Sequence, residues 1–202
     1  SDVYKRQTKG SGINQFTYDS EYLIPNIRTQ AEVSLLSEQA LDFYGFNGAQ
    51  VIYNPLFTDD SDGNADYLSR LYYRHSRQLF RTKLDFQGKI KKDNKKLRWM
   101  GGLEYYGAKI EAVDVDKLNE GKDPADQLSD TSLYTNYVNW GAIKADQAEG
   151  GRTTYIKAGL IYDTRDNEPN PNKGIWEEAL IYWAPPGINQ DYSYSRLILS
   201  HR

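Results

Sequence analysis

The sequence predicts an all-β fold, antiparallel throughout. Three observations predict it. Apolar and polar residues alternate with a period of two, turn-forming clusters separate the alternating segments, and long connections exchange with short ones. Between Ile27 and Leu36, one parity carries Ile27, Ala31, Val33 and Leu35, and the other Arg28, Gln30, Glu32 and Ser34. In a pleated strand those two sets point to opposite faces, one apolar and one strongly polar.

Composition narrows the class. A chain of 202 residues and 23.2 kDa suits one domain or at most two small ones. Apolar residues make up 39%, charged residues 26%, and mean hydropathy is -0.77, which is low for a compact soluble core. Aromatics at 13%, however, argue against simple disorder. With no Cys there is no disulfide framework, thiolate zinc site or cysteine nucleophile, and His75 and His201 alone make no His-rich metal site. A net charge of -3 gives no global attraction to nucleic acid. No apolar run approaches the roughly 18 residues of a membrane-spanning helix, a test that barrel strands escape because they alternate and stay polar on average.

The elements follow in order. Residues 1–7, Ser1 to Gln7, have no periodicity, and Asp2 to Gln7 is what GATGTGTATAAGAGACAG encodes, a sequence resembling a transposon end used to tag sequencing libraries. This stretch is read as a sequencing or cloning scar and set aside, so the chain is expected to be a fragment whose fold occupies 8–202. Strands are predicted at 13–23, 27–36, 48–53, 67–87, 97–109, 153–162, 175–184 and 192–200. Helical spacing fits 32–42 and competes there with the strand pattern. Phe80, Thr82, Leu84 and Phe86 interleave with Arg81, Lys83, Asp85 and Gln87, while Ile156, Ala158, Leu160 and Tyr162 alternate with Tyr155, Lys157 and Gly159.

Strand length and connections add to this. Segments 67–87 and 97–109 exceed the usual globular length of about 5–6 residues and suit the roughly 9–11 that cross a bilayer at a tilt. Aromatics bunch near strand ends, as at Phe43, Tyr44 and Phe46, at Tyr72 and Tyr73, at Tyr105 and Tyr106, and at Tyr182 and Trp183. Residues 54–66 and 110–152 are long, polar and rich in acidic residues, whereas 88–96 is short and basic. Long loops on one rim and tight turns on the other organise outer-membrane barrels.

One segment resembles a family. Gly159 to Gly174, reading GLIYDTRDNEPNPNKG, resembles the pattern "strand, D-x-R-D-N, N-P-x-x-G, strand" of the bacterial surface antigen family, which includes BamA, TamA and the two-partner secretion transporters. The pattern residues here are Asp163, Thr164, Arg165, Asp166, Asn167, Asn170, Pro171 and Gly174. Their physics is that of a well-made turn. Asp166, Asn167 and Asn170 favour side-chain-to-backbone bonds, and Pro169 and Pro171 fix φ. Gly174 accepts a positive φ, and Arg165 is expected to be pinned between Asp163 and Asp166. These residues are structural; none is catalytic and none is a metal ligand.

The resemblance implies an antiparallel transmembrane β-barrel, about eight strands of sixteen, which taken alone forms an open curved sheet. It implies that the 163–174 turn faces the periplasm and joins the eighth and ninth strands. Counting back, 97–109, 67–87, 48–53, 27–36 and 13–23 become the seventh to third. It further implies insertion or translocation of proteins at the outer membrane of a Gram-negative bacterium, with no enzymatic activity and no cofactor. Partners would be outer-membrane lipid and lipopolysaccharide, client outer-membrane or secreted proteins, and periplasmic accessory proteins, with no nucleic acid. Two alternatives stand beside it: a barrel anchoring a fused hydrolase, and a soluble β-rich carbohydrate-binding module.

Other constellations read more plainly. Asp114, Asp116, Asn119 and Glu120 hint at a calcium loop but lack its third acidic position and central Gly, so a solvated acidic loop is the reading. Asp59, Asp60, Asp62 and Asp66 make a similar, weaker case. His75 has no Ser or Cys motif near it and reads as a strand residue facing a polar lumen. Lys89 to Lys96 with Trp99 reads as a solvated turn rather than a nucleic-acid patch.

An open sheet with two free edges and an apolar face is expected to aggregate in water without detergent. Size-exclusion chromatography checks this: a monodisperse, detergent-free monomer with a cooperative melt overturns it.

Overall fold

The structure, a computed structural model, describes residues 2–8, 11–46, 53–91, 93–188, 191 and 193–202. Strands β1 (Asp2–Thr8), β2 (Ser11–Ile24), β3 (Ile27–Asp42), β4 (Arg74–Lys91), β5 (Asn94–Ala112), β6 (Gly150–Asp163), β7 (Trp176–Ala184) and β8 (Tyr194–His201) form one open sheet in chain order. Every neighbouring pair is antiparallel. The all-β expectation holds. Among the described residues, helix is confined to α1 (Val115–Asn119), α2 (Leu133–Asn139) and three short 3-10 turns, all in the two long connections.

Several boundaries differ from expectation. Residues 32–42, where helical spacing competed, are strand, because the alternation of β3 continues to Asp42 and pairs along its length with β4. Of the strand expected at 48–53, residues 48–52 lie outside the described residues and Tyr53 is not in a strand. No strand separates β3 from β4, which bond directly from Ile27↔Gly88 to Asp42↔Arg74. The backward strand count is therefore one too many between 27–36 and 67–87. Residues 67–73 are irregular and turn rather than strand, because Tyr72 and Tyr73 pack into an aromatic cluster instead of alternating. Most of the basic 88–96 connection is strand instead, since β4 runs to Lys91 and pairs there with Asn94 of β5. Residues 2–8, set aside at first, pair with β2 as an edge strand; ladder bonds use backbone groups that any sequence supplies.

The connections sort onto two rims. Among the described residues, Pro25, Asn26, Asp93 and residues 164–175 lie on one; residues 43–46, 53–73, 113–149 and 185–188 lie on the other. At the tightest turn, Pro25 fixes its own φ and Asn26 takes φ 65°, which Asn tolerates better than most residues. The long rim has its own core of Tyr72, Tyr73 and Leu133, with Phe43, Phe57, Leu68 and Tyr137 packed against it. The Leu133 N–H donates to the Tyr72 carbonyl at 2.7 Å, tying the two long connections together.

Candidate functional site

Register converts the alternating sequence into two unlike faces. Val33, Thr82, Tyr105 and Thr154 follow one another across β3 to β6, and Glu32, Lys83, Glu104 and Tyr155 form the next row on the other face. Burial runs opposite to a soluble protein's. Leu84 is 38% exposed and Asp85 beside it 4%; Leu103 is 55% exposed and Glu104 7%; Ile156 is 37% exposed and Lys157 2%. Exposed apolar side chains on that first face continue through Phe16, Leu160, Ile181, Trp183, Leu197 and Leu199.

Charge is gathered on the other face. The Lys157 ammonium on β6 lies 2.5 Å from Asp85 Oδ1 on β4 and 3.2 Å from Glu104 Oε2 on β5. The Tyr182 ring of β7 lies 5.5 Å away. Arg81 donates to Glu104 at 2.9 Å, and Lys83 meets Glu32 of β3 at 3.2 Å. Removing one member of such a buried pair costs about 3–5 kcal/mol, since a charge is left unpaired. Lys157 reaches Asp85 across β5 because Gly102, paired with both residues, leaves the space open. A Cβ at Gly102 would overlap Asp85 Oδ1 and sit 2.5 Å from the Leu84 carbonyl oxygen. An apolar patch of Met100, Ile161 and Leu180 completes this face.

The turn residues named from sequence come together at the short-turn rim. Asp163 Oδ1 accepts from the Arg165 backbone N–H at 3.1 Å and from its Nε at 2.9 Å, while Oδ2 accepts from Arg165 Nη2 at 2.8 Å. Arg98 of β5 donates to the same Oδ2 at 3.1 Å. Thr164 and Ile175 close the base of the turn, with Thr164 N–H to the Ile175 carbonyl and Ile175 N–H to Thr164 Oγ1, both at 2.9 Å. Asp166 does not pin Arg165 as expected. Its Oδ1 accepts the backbone N–H groups of Asn172 at 3.0 Å and Lys173 at 3.2 Å. Those donors hold its carboxyl below the ordinary carboxylate range. Gly174 takes φ 99°, and a Cβ there would collide with the Thr164 carbonyl. Asn167, Asn170 and Pro171 are exposed.

Sequence reasoning missed Glu168. Its carboxylate accepts from Arg28 Nη1 at 2.8 and 3.1 Å, while Arg28 also holds Asp19 through Nε at 2.9 Å and Nη2 at 2.7 Å. β3 and β6 are separated by two strands, about 14 Å at ordinary strand spacing, so the turn folds back across the rim to reach Arg28. No local pattern announces a contact over 140 positions. The buried charges left a signal that went unused: Lys157, Asp85 and Glu104 all sit at polar parity on successive strands.

The remaining candidates are dispersed. Asp114 caps α1 by accepting from the Lys117 N–H, and the Asn119 side chain bonds both ways with the Leu128 backbone. Asp60 pairs with Arg70 at 3.1 Å, and Asp59 accepts from the Ser61 N–H. Among the described residues no group of His, Asp or Glu side chains gathers as a metal centre. His75 is a strand residue as expected, and it is buried, stacked on Tyr134 at 5.6 Å and edge-on to Phe43. Tyr134 itself donates to the Ala148 carbonyl, and burial pushes its phenol up. No family model, curated protein or solved structure matches this chain.

Gly102→Ala is expected to lower stability by about 1–3 kcal/mol through overpacking. Gly101→Ala, with its nearest heavy atoms at 3.8 Å, should leave stability nearly unchanged. Urea titrations in micelles compare the two, and equal effects remove the role given to Gly102. The Asp166 carboxyl is lowered in the folded chain, so its stabilisation is present above the unfolded value of about 3.9 and lost as pH falls through the lower folded value. The Asn172 and Lys173 amide shifts should therefore titrate below pH of about 3.9, and Asp166→Ala should abolish the response. A midpoint at the unperturbed value contradicts the assignment.

Proposed function

We propose that this chain is part of the wall of an outer-membrane β-barrel of the BamA/TamA-like surface antigen family, serving insertion or translocation of proteins at that membrane. The observation that carries the membrane part is the inversion of burial across β4, β5 and β6. Water favours charge outside and apolar side chains inside, and soluble monomers rarely expose contiguous apolar patches beyond a few hundred Å². Hydrocarbon favours the reverse arrangement, with charges paired on the lumen side of each strand.

Strand length agrees with this reading. β3, β4, β5 and β6 have 16, 18, 19 and 14 residues, enough to cross the roughly 9–11 residues of a tilted membrane strand and emerge on both sides. Short turns on one rim and long, folded loops on the other follow the organisation of such barrels. The short-turn rim is then periplasmic. The family part rests on the turn from Asp163 to Gly174, whose restricted positions, apart from the exposed Asn167, Asn170 and Pro171, have identifiable structural work. In this reading the outward partners are acyl chains and lipopolysaccharide, and clients and periplasmic accessory proteins meet the barrel elsewhere.

Tryptophan quenching tests the orientation. In vesicles containing brominated acyl chains, a variant keeping only Trp183, on the apolar face, should be strongly quenched. A variant keeping only Trp140, 66% exposed in the long connection after α2, should retain most of its emission. Equal quenching of the two, or none at all, contradicts the membrane reading.

A further inference from the structure

The hairpin joining β4 and β5 extends past both of its neighbours. Pairing of β3 with β4 stops at Ile27↔Gly88, and pairing of β5 with β6 stops at Leu97↔Tyr162. Residues 89–91 of β4 therefore extend about 10 Å beyond the last β3 pair at ordinary strand rise. This projection carries Lys89, Lys91, Lys92, Lys95 and Lys96 against Asp93 alone.

Two of these lysines do more than project. Lys89 and Lys95 line a hollow with Arg28, Gln87, Arg98 and Asn26, and Glu21 is the one carboxylate among its described lining residues. Arg28 is already occupied by Asp19 and Glu168, and Arg98 by Asp163. Lys89 and Lys95 are exposed and have no carboxylate partner among the described residues. Arg98 Nε is buried and lacks a hydrogen-bond partner among the same residues.

We propose that this hollow docks an acidic polypeptide segment through its carboxylates. One of the lining residues already shows the chemistry: Arg28 is bound by both carboxylate oxygens of Glu168, which comes from a distant turn. The exposed ammonium groups of Lys89 and Lys95 offer further carboxylate positions near Arg28. Register separates this occupant from lipid. Arg28, Gln87 and Lys89, with Arg98 opposite Lys89, belong to the charged face, whereas acyl chains and headgroups in the proposed orientation meet the apolar face. That the segment comes from the periplasmic side rests on the membrane reading; the docking itself does not.

The test measures binding of a fluorescein-labelled hexaglutamate peptide by anisotropy, using the full chain folded in zwitterionic micelles at low salt. Lys89→Glu with Lys95→Glu should weaken binding at least about tenfold, because like charges replace the unpaired cations. Lys91→Glu with Lys96→Glu makes the same change in net charge on the same hairpin, outside the hollow, and should have a much smaller effect. Lys89→Gln with Lys95→Gln should fall between wild type and the reversal. Equal losses from the two reversals mean a diffuse electrostatic patch and overturn the proposal, as does wild-type binding that none of the variants changes. Displacement of the peptide by phosphatidylglycerol vesicles at equal anionic charge reassigns the lysines to lipid and overturns it too. Because the assay uses micelle-folded chain, it reads out even where the tryptophan experiment fails.

Discussion

An ammonium buried to 2% exposure has to find its counter-charges inside the protein, and Lys157 finds them on two other strands. That requirement fixes the alignment of β4, β5 and β6 together. Slipping any of the three by one residue would send its charged set to the opposite face, because side chains alternate with a period of two. Lys157 would then meet Leu84 or Leu103 rather than Asp85 and Glu104. Gly102 follows from the same demand, since the pair closes across the strand between them. Arg81, Lys83 and Glu32 extend the network to β3, so that four strands share one polar face.

The two rims are stabilised by different physics. At the short-turn rim, charge-assisted hydrogen bonds dominate: Arg165 and Arg98 converge on Asp163, and Arg28 joins Asp19 to Glu168. Such bonds are directional and roughly twice as strong as neutral ones, which suits a rim made of short, exposed connections. At the other rim the connections are long enough to build a small core. Phe43 packs edge to face on Tyr137 and Tyr72 on Tyr73, with Leu133 in the same cluster, and α1 and α2 begin at side-chain caps supplied by Asp114 and Ser132. Burying aromatics thus helps to hold the long acidic loops in place.

The strands that alternate cleanly were legible, and the less regular β2, β7 and β8 also fell where expected; the misreadings lie at Tyr53, at 67–73 and at the edge strand. β3 to β6 carry strict alternation, and their positions came directly from it; their ends ran further than the pattern because pairing with a neighbour extends a strand past its last clear apolar residue. Segment 67–73 is apolar without turning into strand, since its tyrosines serve the loop core. The edge strand β1 has no pattern to read and depends only on the open edge of β2. In the turn motif, the backbone roles of Asp166 and Gly174 followed from their residue types. The partner of Arg165 was half right, because two acidic residues flank it and only geometry chooses Asp163.

By itself the sequence determined that the chain is β-rich, that its strands have one apolar and one charged face, and that its connections alternate in length. Each of these is a local property, set by side-chain parity and turn chemistry within a few residues. Tertiary structure alone decided which face is buried. Parity separates Leu103 from Glu104, but only the packing of neighbouring strands hides the carboxylate and leaves the leucine exposed. It also decided that Lys157 lies between Asp85 and Glu104, and that Glu168 crosses the rim to Arg28. Those contacts depend on register and on how the sheet brings distant strands together, neither of which is encoded in any single stretch of chain.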